Sequence, residues 1–105
     1  TLQEQADLFQ HAALIVGPHG AGLTNAIYMG PGSALVELPI PRTRYFGYLA
    51  AQIDVDYWVV PEAEGLYEGY YTITPSMASA ITATCREAFD QVQANMRRRH
   101  AHDEL

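Results

Sequence analysis

The residues of this chain best able to do chemistry lie together in Gly17-Pro18-His19-Gly20-Ala21-Gly22-Leu23-Thr24-Asn25. Ala13-Leu14-Ile15-Val16 before them reads as a buried strand, and Ala26-Ile27-Tyr28-Met29 after them reads as a helix. A strand, a tight glycine-rich turn and a helix start together make a site for an anion. Glycines let the backbone approach a ligand closely, and a helix N-terminus offers free N–H groups and partial positive charge. The chemistry implied is diphosphate binding, and hence a nucleotide or nucleotide-sugar.

The spacing narrows this. The dinucleotide fingerprint has the order G-x-G-x-x-G. Gly17, Gly20 and Gly22 give G-x-x-G-x-G instead. A P-loop is excluded, because no Lys-Ser/Thr pair closes the turn and the six cationic residues are all arginine. On glycine content alone the turn reads equally as an anion site or as a sharp structural corner.

The elements that must position the turn follow from periodicity. Thr1-Leu2-Gln3-Glu4 is a capping box, with Thr1 as N-cap. Leu2, Ala6, Phe9 and Ala13 recur at helical spacing, so a first helix is predicted from Leu2 to about Ala12. Ala13 to Val16 is the first strand, apolar throughout, as in a parallel strand covered on both faces. The helix after the turn is short and stops at Gly30-Pro31-Gly32. Ala34 to Leu38 is the second strand, ended by Pro39 and Pro41. Thr43 to Gln52 is a helix with Tyr45, Leu49 and Tyr48 inward, and Asp56 to Val60 is the third strand, ended by Pro61. Glu62 to Tyr71 reads as a loop. Thr74 and Pro75 open a last helix with a stripe of Met77, Ile81, Cys85, Ala88, Val92 and Met96. That helix is expected to fade around Arg98, with disorder from His100 onward. Such alternation argues for an α/β fold, a parallel sheet with helices on both faces.

The wider wording carries a resemblance. Ile15 through Asn25, then Met29-Gly30-Pro31-Gly32-Ser33-Ala34-Leu35-Val36-Glu37-Leu38, closely resembles the core of glycosyltransferase family 61. That pattern is an apolar strand, G-x-H-G-A-G-L-T-N, a short helix, P-G-S or P-G-T, and a strand ending V-x-E-L. Glu4-Gln5 and Tyr45-Phe46 also resemble the family, and the block covers about a third of the chain. The resemblance implies a GT-B enzyme, with two Rossmann-like domains and the nucleotide-sugar in the cleft between them. This chain would be the C-terminal, donor-binding half, a Rossmann-like three-layer parallel sheet over residues 1–98.

Such an enzyme moves a sugar from a nucleoside diphosphate to a hydroxyl, and N–H groups, a helix dipole and cations can stabilise the departing diphosphate. In this chain Gly17 shapes the turn, and Gly20, Ala21, Gly22 and Leu23 would supply the N–H groups. Thr24 and Asn25 would add side-chain donors, or else cap the helix turn locally. His19 would contact the diphosphate or a sugar hydroxyl, against the alternative of a structural histidine bonded to backbone. Glu37 lies about 20 residues beyond Gly17, an offset at which an acid can bind ribose. Its alternative is an acid facing solvent at a strand end. Arg42 and Arg44 could reach a phosphate or be surface charge. Asp54, Asp56, Glu62 and Glu64 lie near the third strand, but none stands out as the base that inverting transfer needs. Asp54-Val55-Asp56 fits a D-x-D metal motif only by letter, and no metal is expected. No cofactor is expected either, the nucleotide-sugar being a substrate.

Composition bounds the rest. The chain has 105 residues and a net charge of −6. That charge argues against nucleic acid and anionic membranes as partners. Arg97-Arg98-Arg99 reads as a solvated helix end, complementing the macrodipole. Cys85 is the single cysteine and falls on an apolar stripe, so a buried inert thiol is expected. The histidines are too scattered for zinc, and no apolar run has membrane-spanning length. The chain starts at Thr1 and is short for a two-domain enzyme, so a missing N-terminal domain is expected upstream. Residues 99–105 read as a flexible tail ending in His102-Asp103-Glu104-Leu105, an address for the retrieval receptor of the endoplasmic reticulum. The expected location is the reticulum lumen, with the Golgi as alternative.

The reading is therefore a family 61-type glycosyltransferase domain using a UDP-sugar, UDP-N-acetylglucosamine or UDP-xylose, on a protein or glycan acceptor. Inversion and metal independence are implied by the resemblance. One rival is a non-catalytic nucleotide-binding fragment. A second is a piece of a nucleotide-dependent oxidoreductase with Glu37 as its ribose acid, against which the glycine order and G-L-T-N argue.

Overall fold

The computed structural model describes residues 1–38, 45–61 and 73–103. Helix α1 spans Leu2–His11, strand β1 Leu14–Pro18, a 3₁₀ helix Ala21–Tyr28, and strand β2 Ala34–Leu38. Helix α2 spans Tyr45–Gln52, strand β3 Asp56–Val59, and helix α3 Pro75–Asp103. The three strands form one parallel sheet in the order β1-β2-β3. None of the described helices is long and apolar enough to cross a membrane.

The sheet divides two cores. β2 is central and buried along its whole length, and its side chains alternate between the faces. Ala34, Val36 and Leu38 pack with Val60 on Met77, Ala88 and Val92 of α3. Leu35 points the other way, into Leu23 and Ala26 of the 3₁₀ segment, Met29 just after it, and Phe46 and Ala50 of α2. The expected small α/β domain with a parallel sheet and helices on both faces is therefore present.

Several expectations are corrected by packing. The segment after the turn is a 3₁₀ helix rather than an α-helix. β1 is an edge strand, covered less than its apolar sequence implies; Val16 is 43% exposed. In α2 the buried residues are Phe46 and Ala50, with Leu49 packed against the same core as expected, while Tyr45 and Tyr48 face solvent. The phenol hydroxyls stay hydrated, and the smaller Ala50 and Gly47 let the helix approach the sheet. In α1 the capping box forms as predicted, but no residue of the helix is buried.

α3 does not fade at Arg98. It runs to Asp103 because no glycine or proline stops it and because its last turns are held to the sheet. Asn95 donates to Asp56 at 3.1 Å, and Arg99 donates to the Pro31 carbonyl at 2.6 Å. The apolar stripe ends earlier, and Met96 is exposed. Glu104, Leu105, Arg42, Arg44 and the Glu62–Tyr71 loop lie outside the described residues.

Candidate functional site

Parallel register places the glycine turn at the carboxyl edge of the sheet, where open α/β sheets bind ligands. β1 and β2 run side by side to the pair Pro18–Leu38, and the His19 N–H then donates to the Leu38 carbonyl at 2.9 Å. The backbone of His19 is thereby fixed by the last residue of the central strand. Asp54 and Asp56 sit at the opposite, amino edge, since Asp56 opens β3. There they meet Arg99 and Asn95, so the D-x-D letters are remote from the turn.

The register also decides which side chains meet. Gly17 lies opposite Glu37, and Leu35 opposite Tyr57. By alternation His19, Glu37 and Tyr57 share the face that carries α2. His19 Nδ1 lies 2.7 Å from Glu37 Oε2, and the Tyr57 hydroxyl donates to Glu37 Oε1. The His19 ring also packs on Phe46, with centroids 5.1 Å apart at 59°. Glu37 is 0% exposed, and the His19 side chain 22%.

A carboxylate in so buried a position needs partners for both oxygens. Glu37 has them in His19 and Tyr57. It faces neither solvent nor an open cleft, so it is not placed to bind a ribose, the role its offset suggested. Its geometric role is to hold the imidazole. With Nδ1–H given to Glu37, the outward atom of His19 is Nε2. No described residue bonds Nε2, and no buried side-chain nitrogen or oxygen among the described residues lacks a partner, so Nε2 reaches solvent.

The other predicted residues separate into two groups. Gly20 is extended and neither it nor Gly22 lies in the left-handed region, and a Cβ at Gly22 would meet no described residue within 4 Å. At Gly20 it would meet only the Pro18 carbonyl oxygen, at 4.0 Å. Neither glycine is therefore required by its conformation or by packing among the described residues. Ala21 and Gly22 open the 3₁₀ helix, where N–H groups lack intrahelical acceptors. Thr24 is exposed, and its hydroxyl has no partner among the described residues. Gly22 and Thr24 are exposed to solvent, and Gly20 is half-buried.

Gly17, Leu23 and Asn25 face inward or are already engaged. A Cβ at Gly17 would come within 3.3 Å of the Leu23 side chain. Leu23 is buried, and its N–H is taken by the Gly20 carbonyl at 3.1 Å, so it does not serve as a free donor. Asn25 Nδ2 donates to Gln5 at 2.9 Å and to the Gly22 carbonyl at 3.3 Å, tying α1 to the turn. Sequence reasoning missed Tyr57 and Phe46. Their signal is strand and helix parity, readable only once the three-strand register is known.

No curated protein and no solved structure compared with this chain matches it. A family model does match. Glycosyltransferase 61 aligns with residues 1–36, from the Thr1 cap of α1 through the glycine turn to Val36 in β2, and stops one residue before Glu37. The chain thus carries the resemblance to glycosyltransferase family 61 over its first 36 residues, and that match supports a glycosyltransferase in general.

Proposed function

We propose that this chain is the donor-binding part of a glycosyltransferase that transfers a sugar from a UDP-sugar to a hydroxyl of a protein or glycan. The observation that carries this reading is the turn itself. Gly20 and Gly22 leave space that the chain does not use, beside an imidazole anchored from within and open at Nε2.

A diphosphate fits that chemistry. The Ala21 and Gly22 N–H groups at the start of the 3₁₀ helix and the exposed Thr24 hydroxyl would be its donors. His19 Nε2 donates to a phosphate oxygen when the ring carries its second proton, and accepts from a sugar hydroxyl when it does not. Donors already in place need little reorganisation as the diphosphate departs and its charge grows. The donor is UDP-N-acetylglucosamine or UDP-xylose, transferred with inversion and without a metal, as the family resemblance implies. A second Rossmann-like domain supplies the acceptor side and the base, since the described acids Asp54 and Asp56 lie at the other edge.

Calorimetric titration with UDP, UDP-N-acetylglucosamine, UDP-xylose and NAD tests the reading. Uridine nucleotides are expected to bind in preference to NAD, and Thr24→Val to weaken them by about three- to tenfold, the scale of one hydrogen bond. Preference for NAD would overturn the proposal in favour of an oxidoreductase piece.

A further inference from the structure

We propose that Tyr57 is a positioning residue for His19: its hydroxyl fixes the Glu37 carboxylate, Glu37 fixes the imidazole with Nε2 outward, and Gly47 leaves the space that the Tyr57 ring occupies. The relevance to donor binding rests on the function proposed above; the positioning itself does not.

Glu37 is a buried carboxylate on a central strand, and its last torsion is a soft, roughly two-fold rotor. One hydrogen bond leaves the plane of such a group free to turn. Two bonds to different oxygens fix it. The Nδ1 contact from His19 and the hydroxyl of Tyr57 approach Oε2 and Oε1 respectively. They come from β1's extension and from β3, on either side of β2. The carboxylate is therefore clamped across the sheet, and the imidazole that it holds inherits that orientation. Phe46 supports the ring face from α2.

Gly47 is the independent sign that this arrangement is built. A glycine inside a helix costs about 1 kcal/mol relative to alanine. Gly47 has no positive φ to require it. Its space is bounded by Tyr57: a Cβ at position 47 would sit 3.0 Å from both Cδ2 and Cε2 of that ring, tighter than an ordinary contact. The next residue back, Phe46, touches His19. Two adjacent residues of α2 thus serve the two ends of one His19–Glu37–Tyr57 relay.

The test uses the whole chain with ¹⁵N-labelled histidine, comparing wild type, Tyr57→Phe and Gly47→Ala. Long-range ¹H–¹⁵N spectra report which ring nitrogen of His19 carries the hydrogen, and UDP titration reports affinity. Wild type is expected to show the Nδ1–H tautomer. Tyr57→Phe, which keeps the ring, is expected to show a mixture with Nε2–H and, where UDP binds, about three- to tenfold weaker affinity. Gly47→Ala is expected to do the same although the hydroxyl remains, because the ring is displaced. A His19 tautomer unchanged in both variants overturns the inference. Failure of wild type to bind UDP counts against the donor-site reading alone, since the tautomer comparison still decides the role of Tyr57.

Discussion

His19 and Glu37 answer for each other. The carboxylate sits where an unpaired charge would be costly, and the imidazole takes its direction from that carboxylate. His19→Ala is expected to lower unfolding stability by about 1–3 kcal/mol, because it leaves a buried acceptor short of a donor. Glu37→Leu in the His19→Ala background is expected to recover part of that loss, giving a coupling of about 1 kcal/mol or more in a urea-denaturation cycle. Strict additivity would contradict the pairing. Cys85 makes a different test at this scale. Burial raises its thiol above the usual 9.0. At pH 8 its thiolate fraction then lies below about one tenth, and a disulfide reagent should label the native chain several-fold more slowly than the urea-unfolded chain. Equal rates would show that the thiol is not shielded. The turn residues were legible as a set from type and spacing alone. Their division was not: Leu23 and Asn25 belong to the fold, whereas Gly22 and Thr24 are exposed. The difference arises from 3₁₀ geometry, which takes the Leu23 N–H one residue earlier than an α-helix would.

At the scale of elements, β2 and β3 start where short apolar runs between glycine and proline stops place them, whereas β1 runs on through Gly17 and Pro18, which the sequence assigns to the turn, because both residues continue the pairing with β2 as far as Leu38. β2 falls where its sequence places it, at Ala34–Leu38. Which face each helix buries was less legible. α2 offers Tyr45, Phe46, Tyr48 and Leu49 to any apolar-periodicity reading; packing against Leu23, Leu35 and Tyr57 buries Phe46 and Ala50, half-buries Leu49 as expected, and leaves Tyr45 and Tyr48 outside. The length of α3 was misread for a related reason: its last turns lack apolar anchors and are held instead by Asn95 and Arg99. Gly32 is the other half of that attachment. It has φ of 83°, and a Cβ there would lie 3.1 Å from the Arg99 guanidinium carbon. Gly32→Ala is therefore expected to cost about 1–3 kcal/mol, and Arg99→Ala about 0.5–1.5 kcal/mol, by chemical denaturation. The double variant should lose less than the sum, since removing the guanidinium relieves the crowding. A neutral Gly32→Ala would mean that the loop before β2 does not need its left-handed turn.

The whole molecule is drawn out by α3. Its radius of gyration is 14.3 Å, against about 13 Å for a compact chain of this length. Its longest dimension is 48 Å, close to the length of about 44 Å that 29 helical residues span. The helix braces all three strands from one side, while the 3₁₀ segment, α1 and α2 build the face that holds the relay. The proposed donor site therefore lies at one corner: the carboxyl edge, between the central strand and the α2 layer. The opposite edge carries Asp54, Asp56, Asn95 and Arg99, which hold the sheet to α3. Mapping UDP onto the amide spectrum of the ¹⁵N-labelled chain separates those two ends in a single experiment. Donor binding at the turn predicts shifts at Gly20, Ala21, Gly22 and Thr24 and at the His19 ring, with Gly32, Asp54 and Arg99 unmoved. A folded chain whose turn amides stay in place while UDP is added, or whose shifts fall at the Asp54–Arg99 edge, would contradict it.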